Sequence, residues 1–167
     1  MSSNALTNRE HLIELYNRGE RNFAEVRLSG VNLKRQCLNQ INLSHSYLKR
    51  ANLAEACLIN ANFKDASLEE VNLSKACLID ANLTKADLSG ANLRQSQLSG
   101  AILSNTVLKK ADLSSACLIH SSLLFAQLFR ANLEAANLTS ATLTHAMAGK
   151  ANLKRAILTR AILSSAN

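Results

Sequence analysis

The chain has 167 residues, enough for one domain with a sizeable core. Apolar residues make up 47% but aromatics only 4%, and Trp and Pro are absent, so aliphatic and small side chains must fill that core. The net charge of +7 leaves an anionic partner open, and no apolar run approaches the roughly 18 residues of a membrane span.

The opening MSSNALTNREHLIELYNRGER places charges where a signal peptide needs an apolar stretch, which predicts a cytoplasmic protein with its four cysteines reduced. Thr7 followed by Glu10 reads as a capping box, and Gly19 stands where a helix would stop. Leu12, Leu15 and Tyr16 share one face with Ile13 beside them. The pattern predicts a helix at about 8–18 within an N-terminal segment, 1–20, lying over the open edge of whatever follows.

From residue 21 to 167 a five-residue period takes over. Stepping by five from Phe23 to Leu163 meets 29 positions, of which 26 are Leu, two are Phe (Phe23 and Phe63) and one is Ala148. In the register two residues earlier, from Val26 to Ala166, 20 of 29 are Ala, and Gln36 is the one long polar exception. Five residues fit neither a helix, where each step turns about 140° and smears Leu around the cylinder, nor a continuous strand, where odd steps change faces. Three extended residues plus a two-residue corner fit both constraints. The small residue and Leu then point inward, and the residue between them and the two after Leu point outward.

A longer period sets the number of sides. ACLIN at 56–60, ACLID at 76–80 and ACLIH at 116–120 recur only at multiples of twenty. Cys37, Cys57, Cys77 and Cys117 obey the same spacing, as do Ile59, Ile79 and Ile119. Asn32, Asn52, Asn72, Asn92, Asp112, Asn132 and Asn152 form another such column. Four pentapeptides per coil, stacked at the parallel-strand spacing of about 4.8 Å, give roughly seven coils. Leu33, Leu53, Phe63, Leu73, Leu93, Leu113 and Leu133 are core positions on this reading. Ala148, in place of a core Leu within HAMAGKANL, predicts a cavity or an inward Met147 and local irregularity at 146–150.

The strings ANLAEACLINANF, ADLSGANLRQSQL and ANLEAANLTSATL resemble the A(D/N)LXX pattern of the pentapeptide repeat family, over nearly the whole chain. The resemblance implies an all-β, right-handed quadrilateral parallel β-helix, the hand also expected of parallel connections. LIELYNRGERNFAEVRLSGVNL is further similar to the N-terminal part of many cyanobacterial members.

Chemical leads are thin. The cysteines lie in a line interrupted by Gln97, whereas zinc needs converging ligands, and a stacking distance near 4.8 Å exceeds the roughly 3.5–4.5 Å between Cβ atoms in a disulfide. His11, His45, His120 and His145 fall on different sides or distant coils, and no Gly-rich phosphate loop is present. No cofactor, metal or enzymatic activity is expected. The asparagine column reads as stacked amides with a structural role.

Sorted by side, the cations outnumber the acids seven to three on the side centred on Leu28, Leu48 and Leu68, and six to three on the next. An apolar surface is expected opposite, from Ile59, Ile79, Ile119, Leu124, Phe125, Ile157 and Ile162. These features predict a non-enzymatic scaffold whose flat sides meet a protein partner. The resemblance also raises a DNA mimic acting on a topoisomerase, but that role needs a negative rod. Nucleic-acid contact through the basic sides has few exposed aromatics to support it, and a homodimer through the C-terminal coil would cover a bare stack edge.

Overall fold

The computed structural model describes residues 8–167. It begins with one helix, α1 (Arg9–Asn17). The expected Thr7 cap lies outside the described residues; Asn8 caps the helix instead, its side chain accepting the N–H of His11 at 2.9 Å. Gly19, at φ 98°, closes the other end. Its N–H reaches the carbonyl of Tyr16 and that of Glu20 reaches Leu15, both at 3.0 Å, which is the paired-bond ending that needs a left-handed residue.

Everything after α1 is one repeated unit. Asn22 pairs in parallel with Asn42, Arg27 with Tyr47, and so on without a break to Thr142 with Ile162, always twenty residues apart. The pairing consists of single bridges rather than longer strands, because a corner follows every third residue. At each corner the residue three beyond a central Leu donates back to it, as Ala51 does to Leu48 at 2.9 Å. The second residue after the Leu has φ near +57°, as a type II turn demands of its third position.

Only three of the 29 corner residues at positive φ, Gly30, Gly90 and Gly100, are glycines. The others each accept a left-handed backbone that costs about 1–2 kcal/mol. Burial on each side offsets it: a fully buried Leu contributes about 1.5–3 kcal/mol, before counting its Ala and the ladder. Gly100 has a second reason, since a Cβ there would collide with the carboxylate of Asp80.

The core is the column interior. Leu33, Leu53, Phe63, Leu73, Leu93, Leu113 and Leu133 are all 0% exposed, with Ala filling the register between them. Ser96, Thr106 and Ser121 replace that Ala in places and remain buried because each hydroxyl donates to a main-chain carbonyl at 2.7 Å. The expected irregularity at 146–150 does not occur. Met147 stays outward, and its neighbours keep the ladder, with Leu128 donating to Met147 at 2.8 Å and Arg130 to Gly149 at 3.1 Å. Ala148 lies in the last coil, where no further side chain stacks on it to expose a hole. There the inward Leu153 and Leu163 are 38% and 47% exposed.

The ladder has a direction. Each central Leu and each corner residue donates to the following coil, as Leu73 does to Asn92 and Lys75 to Arg94, while the residue before the Leu donates to the preceding one. The two edges of the stack therefore differ. On residues 148–167 the N–H groups of Leu153, Arg155, Leu158, Arg160, Leu163 and Ser165 have no partner among the described residues, whereas the first coil presents mainly carbonyls.

Candidate interaction surface

One backbone N–H per side, that of the residue after the central Leu, finds no partner in the ladder. The side chain before the Leu supplies one. All thirteen Asn or Asp residues at that outward position accept this N–H two residues on, at 2.9–3.4 Å. This is the physical content of Asn or Asp in the repeat, and the stacked-amide expectation missed it. Amide contacts between coils are additional and intermittent: Asn42 donates to Asn22 at 2.8 Å and Asn152 to Asn132 at 2.9 Å.

The cysteines stand where the spacing puts them. Cys37 bridges to Cys57 and Cys57 to Cys77, then Gln97 intervenes before Cys117. All four are free thiols. Burial, then the neighbouring Cys37 and Cys77, push the Cys57 thiol up, which keeps it protonated and a poor nucleophile. Among the described residues no cluster of three His, Cys, Asp or Glu converges on a point.

Charges pair along the stack. Arg35 meets Glu55 at 2.7 Å, with Lys34 on the same carboxylate at 3.2 Å, and Arg50 meets Glu70 at 2.8 Å. The Arg35 and Lys34 hydrogen bonds hold Glu55 below the usual carboxylate range, and Arg50 does the same for Glu70. Burial pushes Asp112 up, but the Ser114 N–H and Arg94, at 2.9 and 3.0 Å, bring it lower still. These pairs lie in the first five coils. Beyond residue 100 seven cations face only Asp112 and Glu134, an imbalance along the rod that sorting by side had hidden.

The apolar residues expected to share one surface are placed on several. Ile59, Ile79 and Ile119 lie half-buried at one corner column, and Leu124, also half-buried, precedes Phe125 at the next corner. Phe125, Ile157 and Ile162 are exposed, the latter two in the middle of adjacent sides of the last coil. Of the nine exposed large apolar residues, all but Tyr47 lie between Ile102 and Leu163. Phe125 stacks on His145 one coil away, with ring centroids 4.8 Å apart. Reading the corner residues at intervals of twenty brings Phe125 and His145 together; sorting by residue type does not.

The pentapeptide repeat family model matches in eight copies, over residues 27–65, 46–84, 66–105, 86–123 and 136–167. No curated protein matches the chain. Among solved structures, the chain is 30% identical to HetL, a pentapeptide repeat protein involved in heterocyst differentiation regulation from the cyanobacterium Nostoc sp. strain PCC 7120, covering 96% of this chain and 94% of that one with a TM-score of 0.30. It is 26% identical to Rfr23, a pentapeptide repeat protein from the cyanobacterium Cyanothece 51142, covering 94% and 95% with a TM-score of 0.30. It is 16% identical to QnrB1, a plasmid-mediated fluoroquinolone resistance protein, covering 94% and 86% with a TM-score of 0.48. The unbroken five-residue unit, its twenty-residue pairing and the family match lead to one conclusion: this chain belongs to the pentapeptide repeat family.

Proposed function

We propose that the protein is a non-enzymatic scaffold of the cytoplasm, a right-handed quadrilateral β-helix of about seven coils whose sides hold a protein partner. One observation carries the reading: large apolar side chains are exposed almost entirely on residues 102–163, instead of being spread along the rod. Single exposed apolar residues are ordinary, but six outward ones on one half of a small stack, Leu153 and Leu163 being inward, offer a partner apolar contact on several sides. The four unpaired thiols agree with a reducing compartment. Among the described residues no helix is long and apolar enough to cross a membrane.

Affinity capture tests this with the intact chain beside an Ile102→Ser, Met147→Ser variant. A protein retained by the first and lost from the second supports the reading; equal retention by both, or none by either, counts against it. A topoisomerase-directed DNA mimic is disfavoured by the charge of +7, and a supercoiling assay should show no potent inhibition of gyrase. A second copy is a further partner, met through the last coil. Ile157 and Ile162 stand 48% and 51% exposed around the open Leu153 and Leu163, and side chains rather than the donor-rich backbone edge would make the contact. Sedimentation of the intact chain and of Ile157→Glu, Ile162→Glu decides it; two monomers at about tens of micromolar would end the idea.

A further inference from the structure

On the side centred on Leu108, Leu128 and Ala148, three observations meet. Phe125 and Phe129 flank one coil of it, 45% and 39% exposed, and Met147, 48% exposed, sits one coil on beside Gln127, between their columns. Phe125 is the one phenylalanine among the 29 corner residues, at φ 58°. A bulky side chain pays for that conformation, and here it gains no core burial in return. Phe129 packs over Gly149, whose missing Cβ would lie 3.5 Å from its ring, so the two positions are in direct contact one coil apart.

Beside this apolar strip runs a column of charge. Lys110, Arg130 and Lys150 occupy successive corners, joined through Lys110 donating to Phe129 at 3.0 Å and Arg130 to Gly149 at 3.1 Å. Earlier in the same column Arg50 faces Glu70 at 2.8 Å, so a cation there has its acid. Among the described residues Lys110, Arg130 and Lys150 make no ion pair. Three cationic side chains rooted on backbones about 4.8 Å apart form a like-charged column that an anionic partner lying along it would relieve.

We infer that this strip and column dock an acidic amphipathic α-helix of a protein partner, laid along the rod axis. The inference rests on the scaffold reading above and adds the place and the chemistry. Three or four residues of helix rise about 4.5–6 Å, so carboxylates repeating at that interval follow cations repeating at the coil spacing. The apolar face of the same helix covers Phe125, Met147 and Phe129. A nucleic acid would meet the column equally well but not the strip. One face of Phe125 is taken by His145, the Arg130 guanidinium sits 5.2 Å over Phe129, and Met147 offers no ring for a base.

The test titrates the isotopically labelled full chain with three synthetic probes, followed by amide signals. They are an amphipathic peptide with Leu on one face and Glu at every third or fourth position beside it, the same peptide with Lys for Glu, and a single-stranded oligonucleotide. The expected result is that only the acidic peptide shifts residues 125–130 and 145–150. Its affinity should fall about tenfold or more in Lys110→Glu, Arg130→Glu and in Phe125→Ser, Met147→Ser, and stay unchanged in Lys75→Glu, Lys85→Glu, which alters the net charge equally elsewhere. Equal binding by the charge-reversed variant, or tighter binding of the oligonucleotide at this face, overturns the inference. Binding mapped to another side overturns it while leaving the scaffold reading intact; no binding by any probe overturns it, and the capture experiment then judges the scaffold reading alone.

Discussion

The hydroxyl of Tyr16 donates to the backbone carbonyl of Asn39 at 2.9 Å, fastening α1 to a first-coil carbonyl that has no coil before it. Arg21 strengthens the join, its guanidinium 3.9 Å over the Tyr16 ring and hydrogen-bonded to the Tyr16 carbonyl at 2.8 Å. Tyr16→Phe should cost about 1 kcal/mol in a urea melt, the worth of one hydrogen bond. Leu12→Asp, which buries a charge at a fully enclosed position, should cost several times more. No loss in Tyr16→Phe would mean that α1 is held only by its packing.

Leu73 and Leu93 are fully enclosed in mid-stack, so Leu→Lys at either site should abolish the folded state: the ammonium has neither a partner nor a route to water. Thermal melts that show these variants folding as well as an outward Lys substitution would overturn the inward assignment.

Asn72→Ala should cost about 1 kcal/mol, because Ser74 then loses the acceptor it meets at 3.1 Å. Asn72→Asp keeps an oxygen there and should melt close to the parent. By the same logic Asn82→Lys, outward though it is, should cost about as much, through the Thr84 N–H at 3.0 Å. Equal melts for Asn72→Ala and Asn72→Asp would show that this bond adds nothing to stability.

Acid should remove the benefit of the stacked ion pairs. Arg35 and Lys34 lower the Glu55 pKa and Arg50 that of Glu70, so these carboxylates stabilise the fold above the ordinary unfolded value, about 4.3, and lose that effect as the pH falls through their lower folded values. A Glu55→Gln, Glu70→Gln variant should melt below the parent at pH 7, and the gap should close below about pH 4. Both groups are at the surface, so high salt should narrow the gap as well. A gap independent of pH would assign it to packing.

The thiols should titrate as four free groups under denaturing conditions, with no stoichiometric zinc by elemental analysis. A column of side chains one coil apart cannot enclose a tetrahedral ion, so a single bound zinc would demand a different arrangement of Cys37, Cys57 and Cys77.

What the sequence made legible was whatever repeats. Leu at every fifth position dictates an interior, and the recurring ACLI phrase dictates coils of twenty, both visible without coordinates. The function of Asn in the repeat was not, since it depends on knowing which N–H the ladder omits. Ala148 misled for a related reason: a missing side chain matters only between two neighbouring coils, and it sits in the last one. The apolar candidates scattered because Ile59 and Phe125 share a type but belong to different corners. Likewise Lys110, Arg130 and Lys150 look like ordinary surface lysines and arginines until the one acid of their column, Glu70, is seen to be taken by Arg50.

The directional ladder gives the rod a polarity, with donors facing one way along the axis and carbonyls the other. Coils laid down in opposite senses would set donors against donors, so one coil complements the next only when both run the same way. The carbonyl-rich face of the first coil is occupied by α1, with Leu12 sealed and Tyr16 on the Asn39 carbonyl. Nine helical residues thus close one face of the ladder, and a copy stripped of them would bare a row of acceptors to any strand edge that offered donors.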